Sequence, residues 1–215
     1  LYGLRSTSQP AVHQAGQGEA HTRRSTRTDR LTFRLGADRS RRIRELSQAP
    51  DFRGLTDDVS RFHVFAVALF SLLRRVGDET PGLSLLTPVH NRSSRAFKET
   101  LGVFIEVLPL MVQPAAEDSF LDLAKRVQKA MRGLVGHALP GISGAVPAGH
   151  GAEAVLNYIP SSFEGGFAGR TAETEWLHPG HGDPEHALRL QVHDFDESGE
   201  FVLHFDVHCD VFGGS

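Results

Sequence analysis

The sequence predicts an α/β layered domain, a mixed β-sheet flanked by helices, on three observations. Segments with the two-residue alternation of strands and segments with the three-to-four-residue recurrence of helices follow one another from about residue 31 onward. One helical segment, Thr56 to Gly77, is apolar on almost every side, as a helix buried against a sheet must be. The final pattern, Leu188 to Val207, is that of a hairpin, which adds antiparallel strands.

Residues 5–29 are polar, with Pro10, Gly16 and Gly18, and bury too little to offset chain entropy, so residues 1–30 read as a linker ahead of a body at 31–215. Leu31, Phe33 and Leu35 alternate with Thr32 and Arg34, the period of a half-buried strand, and Gly36 stops it. Asp38 can then cap a helix with Ile43 and Leu46 facing inward, Arg39, Arg42 and Arg44 facing water, and Pro50 preventing continuation.

In the second helix Thr56 can accept from free amides, Asp57 and Asp58 suit the positive end, and Arg74 and Arg75 suit the other. Val59, Phe62, Ala66, Phe70 and Leu73 form its stripe, which Phe65, Val67, Leu69 and Leu72 broaden. Leu83 to Val89 is a nearly continuous apolar run, expected of a central strand covered on both faces. Val103 to Val112 is a longer strand candidate.

After it, Ser119 or Asp118 opens a helix with Phe120, Leu123, Val127, Met131 and Leu134 on one face and Lys125, Arg126 and Lys129 in solvent. Residues 136–153 are rich in Gly, Ala and Pro, then Ala154 to Ile159 forms a short strand that Pro160 closes. Ser161 to His186 holds five Gly and two Pro with no sustained period, an excursion from the core. Leu188, Leu190 and Val192 then alternate with Arg189, Gln191 and His193, and a turn at Ser198 and Gly199 leads to Phe201, Leu203, Phe205 and Val207.

Composition narrows the classes. In 215 residues, 40% hydrophobic and 23% charged, there is material for one sizeable core or two small ones. Cys209 is the only cysteine, which excludes an intrachain disulfide, and no apolar run approaches the roughly 20 residues that span a bilayer, so a reducing cytoplasm is the expected compartment and no membrane partner is expected. The chain begins at Leu1 with no secretory signal and reads as a piece of something longer. Residues 1–53 carry 11 Lys and Arg against 5 acids, a net of +6 that leaves −9 for the rest. Arg23, Arg24 and Arg27 sit among small polar residues without interleaved aromatics, so no nucleic-acid partner is expected.

Pro88-Val89-His90-Asn91-Arg92, followed by Leu101-Gly102-Val103-Phe104-Ile105-Glu106-Val107-Leu108-Pro109-Leu110, resembles a pattern of the condensation domains of non-ribosomal peptide synthetases. There a Pro-Val-x-Asn-Arg strand end precedes a Gly-x-Phe-Val-Asn-Thr-Leu-Pro segment. Four further features come in the family's order: the Phe33 strand with its Arg-rich helix before this motif, and after it the Phe120 helix, Val155-Leu156-Asn157-Tyr158, and Asp206 to Phe212. The chain departs from the pattern too. Glu106 replaces Asn, Met111 stands where Arg is usual, His137-Ala138-Leu139-Pro140 is a shortened motif, the segment before Val155 lacks an Arg-Asp pair, and His-His-x-x-x-Asp-Gly is absent.

The resemblance implies one half of a chloramphenicol acetyltransferase-like V-shaped pair, the C-terminal subdomain, with the catalytic histidine in a missing N-terminal subdomain. It implies amide formation between a donor thioester and an acceptor amine, both delivered on the phosphopantetheine arms of peptidyl or acyl carrier proteins, with no cofactor bound directly. This half would supply tunnel walls, and alone it would be inactive. Asn91 to Leu101 would be a floor loop and Ser161 to His186 a latch crossing to the other half.

The candidate tunnel residues are Asn91, Arg92, Glu106, Asn157 and Tyr158; no catalytic residue and no metal ligand is assigned. Asn91 and Arg92 either contact substrate or satisfy loop carbonyls. Glu106 either brings a carboxylate near the amine or faces solvent. Asn157 and Tyr158 could line the tunnel, though a buried Tyr also needs a partner for its hydroxyl. His204, Asp206, His208 and Asp210 would share a strand face, and His178, His181 and Asp183 form a second cluster, but alternating polar residues also mark the solvent face of a hairpin. Ser143 in Gly141-Ile142-Ser143-Gly144 lacks the nucleophile-elbow spacing. The alternative to an enzyme half is a non-catalytic module that recruits carrier proteins or tailoring enzymes. Either way an uncovered inner face would favour self-association.

Overall fold

A computed structural model describes residues 25–76, 83–92, 95–115, 117–145, 154–161, 185–195 and 199–212. Among them is a six-stranded sheet in the order β1 (Thr28–Arg34), β6 (Phe201–His208), β5 (Leu188–Phe195), β4 (Ala154–Ser161), β2 (Leu83–Val89), β3 (Glu106–Val112). The pairs β2–β4 and β4–β5 are parallel and the other three antiparallel, so the sheet is mixed.

The core lies on one face of this sheet. Leu85, Leu110, Val112, Ala154, Leu156, Leu188, Leu190, Val192 and Phe201 hold one parity within each strand, and they pack on Phe62, Phe65, Ala66, Leu69 and Phe70 of α2 (Asp57–Val76) and on Leu123, Ala124 and Val127 of α4 (Phe120–His137). Thr56 caps α2 through its hydroxyl, which accepts from Val59 N at 3.2 Å. Ser119 caps α4 in a reciprocal box with Asp122.

Several sequence expectations change. The first strand opens at Thr28 rather than Leu31, because Thr28 to Arg30 continue the pairing with Val207 to His208 and Asp206. Asp38 does not cap α1 (Gly36–Ser47); Leu35 is its N-cap residue, and the Glu200 carboxylate accepts from Gly36 N instead, at 3.1 Å. Leu46 and Leu72 end up half exposed, while Arg44 turns away from water onto Asp194 and the Phe201 ring. Leu83–Val89 has the predicted bounds, but burial alternates along it, so only one of its faces is fully covered. The third strand starts at Glu106, three residues late, leaving Val103 and Ile105 exposed.

Pro160 does not close β4, which runs to Ser161. Its register with β2 lies at Leu86–Val155 while pairing with β5 continues through Pro160–Asp194, so at this end the missing N–H can fall on the side away from β5. The Gly-rich stretch contains a 3₁₀ turn, Ile142–Ala145. The hairpin forms as expected, yet its polar face is no solvent face: Gln191, His193, Asp206 and His208 are all buried. The excursion at 161–186 lies outside the described residues except for Ser161, Glu185 and His186, and His178, His181 and Asp183 lie outside them entirely. No helix among the described residues is long and apolar enough to cross a membrane.

Candidate functional site

The pairings bring the C-terminal ends of β2, β4, β5 and β1 together with the N-terminal ends of β3 and β6. In open α/β sheets that end of the parallel strands is where ligands sit. Three of the five candidate residues are there: Val89 pairs with Glu106 across the β2–β3 ladder, and Asn91 and Arg92 follow two and three residues on.

Asn91 turns the chain out of the sheet with φ 50°, the left-handed region, and it is buried. Arg92 then braces the loop that follows. One guanidinium nitrogen donates to the carbonyls of Phe97 and Thr100 at 2.5 and 2.7 Å, the other to Gly102 at 2.7 Å, and the group lies 4.5 Å from the Phe104 ring centroid. Phe97, in the short helix α3 (Arg95–Lys98), packs on Phe104 at 5.3 Å. A fork of fixed donors over an aromatic face is what a guanidinium offers and an ammonium does not. Arg92 therefore satisfies loop carbonyls.

Glu106 is partly exposed and is engaged locally. Its carboxylate accepts from Gly141 N at 2.5 Å, from Ser143 N at 3.1 Å and from the Ser143 hydroxyl, clasping the 3₁₀ turn to the edge strand. The Ser143 hydroxyl and then the Gly141 amide hold this carboxyl below its ordinary range, so it is a committed anion and a poor proton acceptor. Ser143, dismissed as a nucleophile, is the other half of this clasp.

Asn157 and Tyr158 are consecutive on β4 and so point to opposite faces. Tyr158 faces the helices: its ring stacks on Phe65 at 6.2 Å and its hydroxyl donates to Asp194 Oδ2 at 2.5 Å. Burial above all, and then Asp194, push its ionisation up, so it stays a neutral donor. Asn157 faces the other way, in register with Gln191.

Asp194 was missed by the sequence reasoning. Its carboxylate, 2% exposed, takes Arg44 Nη2 at 2.7 Å, Arg61 Nη1 at 3.1 Å and the Tyr158 hydroxyl, tying α1, α2 and β4 to β5. A signal existed: Asp194 keeps the inward parity of Leu188, Leu190 and Val192, and a carboxylate on a buried face requires cations.

On the opposite face Arg30 forks onto Asp206 at 2.6 and 2.7 Å, and Gln191 donates to Asp206 at 3.4 Å. Thr32 meets His204 at 3.0 Å, and His204 lies 4.5 Å from the His193 ring. His208 Nε2 donates to Ser25 O at 2.8 Å. His204, Asp206 and His208 do share a face, but each is engaged separately, and among the described residues no three His, Cys, Asp or Glu converge to hold a metal ion.

A mixed six-stranded sheet with helices against one face defines the class, an α/β domain of chloramphenicol acetyltransferase-like fold. The family model Condensation domain matches residues 9–139, and the chain belongs to that family. Solved structures agree on the fold. The condensation domain from the monacolin K polyketide synthase MokA aligns with TM-score 0.70 at 17% identity, over 98% of this chain and 49% of that one. The first condensation domain of the CDA synthetase gives 0.60 at 17%, over 89% and 42%. The holo four-domain non-ribosomal peptide synthetase AB3403, bound to AMP and glycine, gives 0.65 at 17%, over 87% and 15%. The chain thus spans half or less of each of these structures. No curated protein matches it.

Proposed function

We propose that this chain is the C-terminal half of a condensation domain, the wall of a tunnel in which a carrier-bound amine attacks a carrier-bound thioester. The observation that carries this is the Arg92-braced loop at the ligand-binding end of the parallel strands, beside the Val89–Glu106 pair. Amide formation needs the amine held against the thioester and a group to manage its proton. This half supplies the holding, with Asn91 and Asn157 as its substrate-facing polar residues. Residues 1–30 lead in from the other half, except that Thr28 to Arg30 belong to the body, and 161–186 is the latch. Phosphopantetheine arms on carrier proteins bring both substrates.

One observation favours the recruiting alternative: Arg92, Glu106 and Tyr158 each spend their polar atoms on the fold. Co-expression with an N-terminal half bearing His-His-x-x-x-Asp-Gly decides between the two. Amide product from carrier-bound aminoacyl thioesters in the joined domain, with none from either half alone, supports the enzyme. A stable complex that binds carrier protein without making product supports recruitment, and turnover by this chain alone refutes both.

A further inference from the structure

We infer that Asn91 is a ligand-binding residue whose side-chain amide donates to the carbonyl oxygen of an acyl thioester seated at this end of the sheet. This rests on the wall function proposed above and gives it a specific contact. Asn91 has φ 50°, the one non-glycine residue with positive φ among the described residues. It is 6% exposed, and its Nδ2 is buried with no hydrogen-bond partner among the described residues. Its neighbours at the loop base are already committed: Arg92 to three carbonyls, Glu106 to Gly141 and Ser143, His90 Nδ1 to the Arg92 amide.

A conformational role explains only the first observation. Asn enters the left-handed region more readily than most residues, but glycine does so with no steric cost and has no amide to bury. Choosing Asn over Gly here sacrifices stability twice, through backbone strain and through an unmade hydrogen bond. Both costs are explained if the donor has a partner in another state.

The donor is neutral, short and fixed, which suits a neutral carbonyl oxygen and not a phosphate, for which Arg or Lys would serve. Since the amide is covered in this state, a ligand reaches it only when the loop braced by Arg92 shifts, and Asn91 and Gly102, with φ 147°, are the positive-φ positions near its two ends.

The test is side-chain amide spectroscopy of the ¹⁵N-labelled chain titrated with S-acetyl-pantetheine, with pantetheine, which keeps the arm amides and lacks the thioester, as the second arm. The Asn91 signal pair is the one absent from the Asn91→Asp spectrum. We expect that pair to shift saturably. Asn91→Gly should melt at or above the wild-type temperature yet bind at least tenfold more weakly, with Asn91→Asp weakened likewise. A shift with the acetylated probe alone assigns the acceptor to the thioester carbonyl, and a shift with both assigns it to an arm amide, which overturns the thioester assignment. Wild-type affinity in Asn91→Gly, or other signals moving while Asn91 stays still, overturns the inference alone. If no amide of the wild-type chain responds to either probe, the inference falls together with the wall function on which it rests.

Discussion

Replacing Asp194 by Asn keeps the side chain's shape and removes its charge, and the structure sets what that costs. The carboxylate is 2% exposed and faces two guanidinium groups, on Arg44 and Arg61, that are 29% and 21% exposed. Removing one partner of a buried ionic set costs about 3–5 kcal/mol, because the remaining charges lose their counter-charge. Here both cations keep some water, which places Asp194→Asn near the lower end, about 3 kcal/mol. At roughly 2–4 °C per kcal/mol for a domain of this size, the melting temperature falls by about 6–12 °C. Tyr158→Phe removes only the third contact, a hydrogen bond to a charged acceptor, and should lose about 1.5–3 kcal/mol. Urea unfolding followed by circular dichroism measures both, and an unchanged m-value assigns the loss to the folded state's stability. A second substitution, Arg44→Met in the Asp194→Asn background, should recover part of the loss by removing one uncompensated cation. If Asp194→Asn lies within about 1 kcal/mol of wild type, the network is not the tie between helices and sheet that its geometry indicates.

Three further outcomes are expected. Arg92→Lys should release the loop, seen as faster hydrogen exchange at residues 97–104 with the global melting temperature little changed, because an ammonium cannot fork onto carbonyls of Phe97, Thr100 and Gly102; unchanged exchange would contradict the bracing role. Burial, then His204 and Arg30, push His193 down to about 4. Its folded value lies below the unfolded one of about 6.5, so its contribution is complete above about 6.5 and is lost as pH falls toward 4, up to about 3 kcal/mol. His193→Gln should flatten the stability profile between those limits, and parallel profiles would show that the acid sensitivity lies elsewhere. Finally, Leu101, Val103 and Ile105 in the loop before β3 and Val107 and Met111 on it are 44% to 99% exposed, and this apolar surface should drive self-association. Sedimentation velocity should show concentration-dependent dimers that Ile105→Lys abolishes, and a monomer at every concentration would count against it.

The periodic elements were legible in the sequence because their physics is local. Leu83–Val89 has its predicted bounds, and most inward residues of α2 and α4 are those their spacing selects, although Leu72 and Phe120 are exposed and Val64, which it did not select, is buried. Boundaries failed where a distant partner decided them. Thr28 to Arg30 look like linker until β6 lies beside them, and Arg44 looks solvated until Asp194, 150 residues away, comes within 2.7 Å. The hairpin's buried polar face was misjudged for the same reason: alternation gives the period of a strand, not what covers each side. The family motif picked out Asn91, Arg92 and Glu106, which the β2–β3 pairing gathers at one end of the sheet, yet it could not say which of their polar atoms the fold itself consumes.

That consumption bears on how the site works. A loop with little secondary structure of its own needs its backbone carbonyls satisfied by side chains, and Arg92 does this for Phe97, Thr100 and Gly102 together. With Glu106 in place of the family's Asn, the adjoining turn is held in the same way, by an anion that accepts two amides and a hydroxyl. The Ser143 hydroxyl and the Gly141 amide favour the charged form of this carboxyl, which makes it a weaker base than a free glutamate. Under the proposed function, Arg92 and Glu106 would therefore act on the chemistry through position, by holding this loop and turn in place. Of the motif residues, Asn91 keeps a buried amide without a partner among the described residues, and Asn157 lies on the face opposite the helices. If proton management belongs to the other half, substitutions of Arg92 and Glu106 should change how tightly substrate is held more than how fast it reacts, while the pH dependence of turnover stays where the partner half sets it.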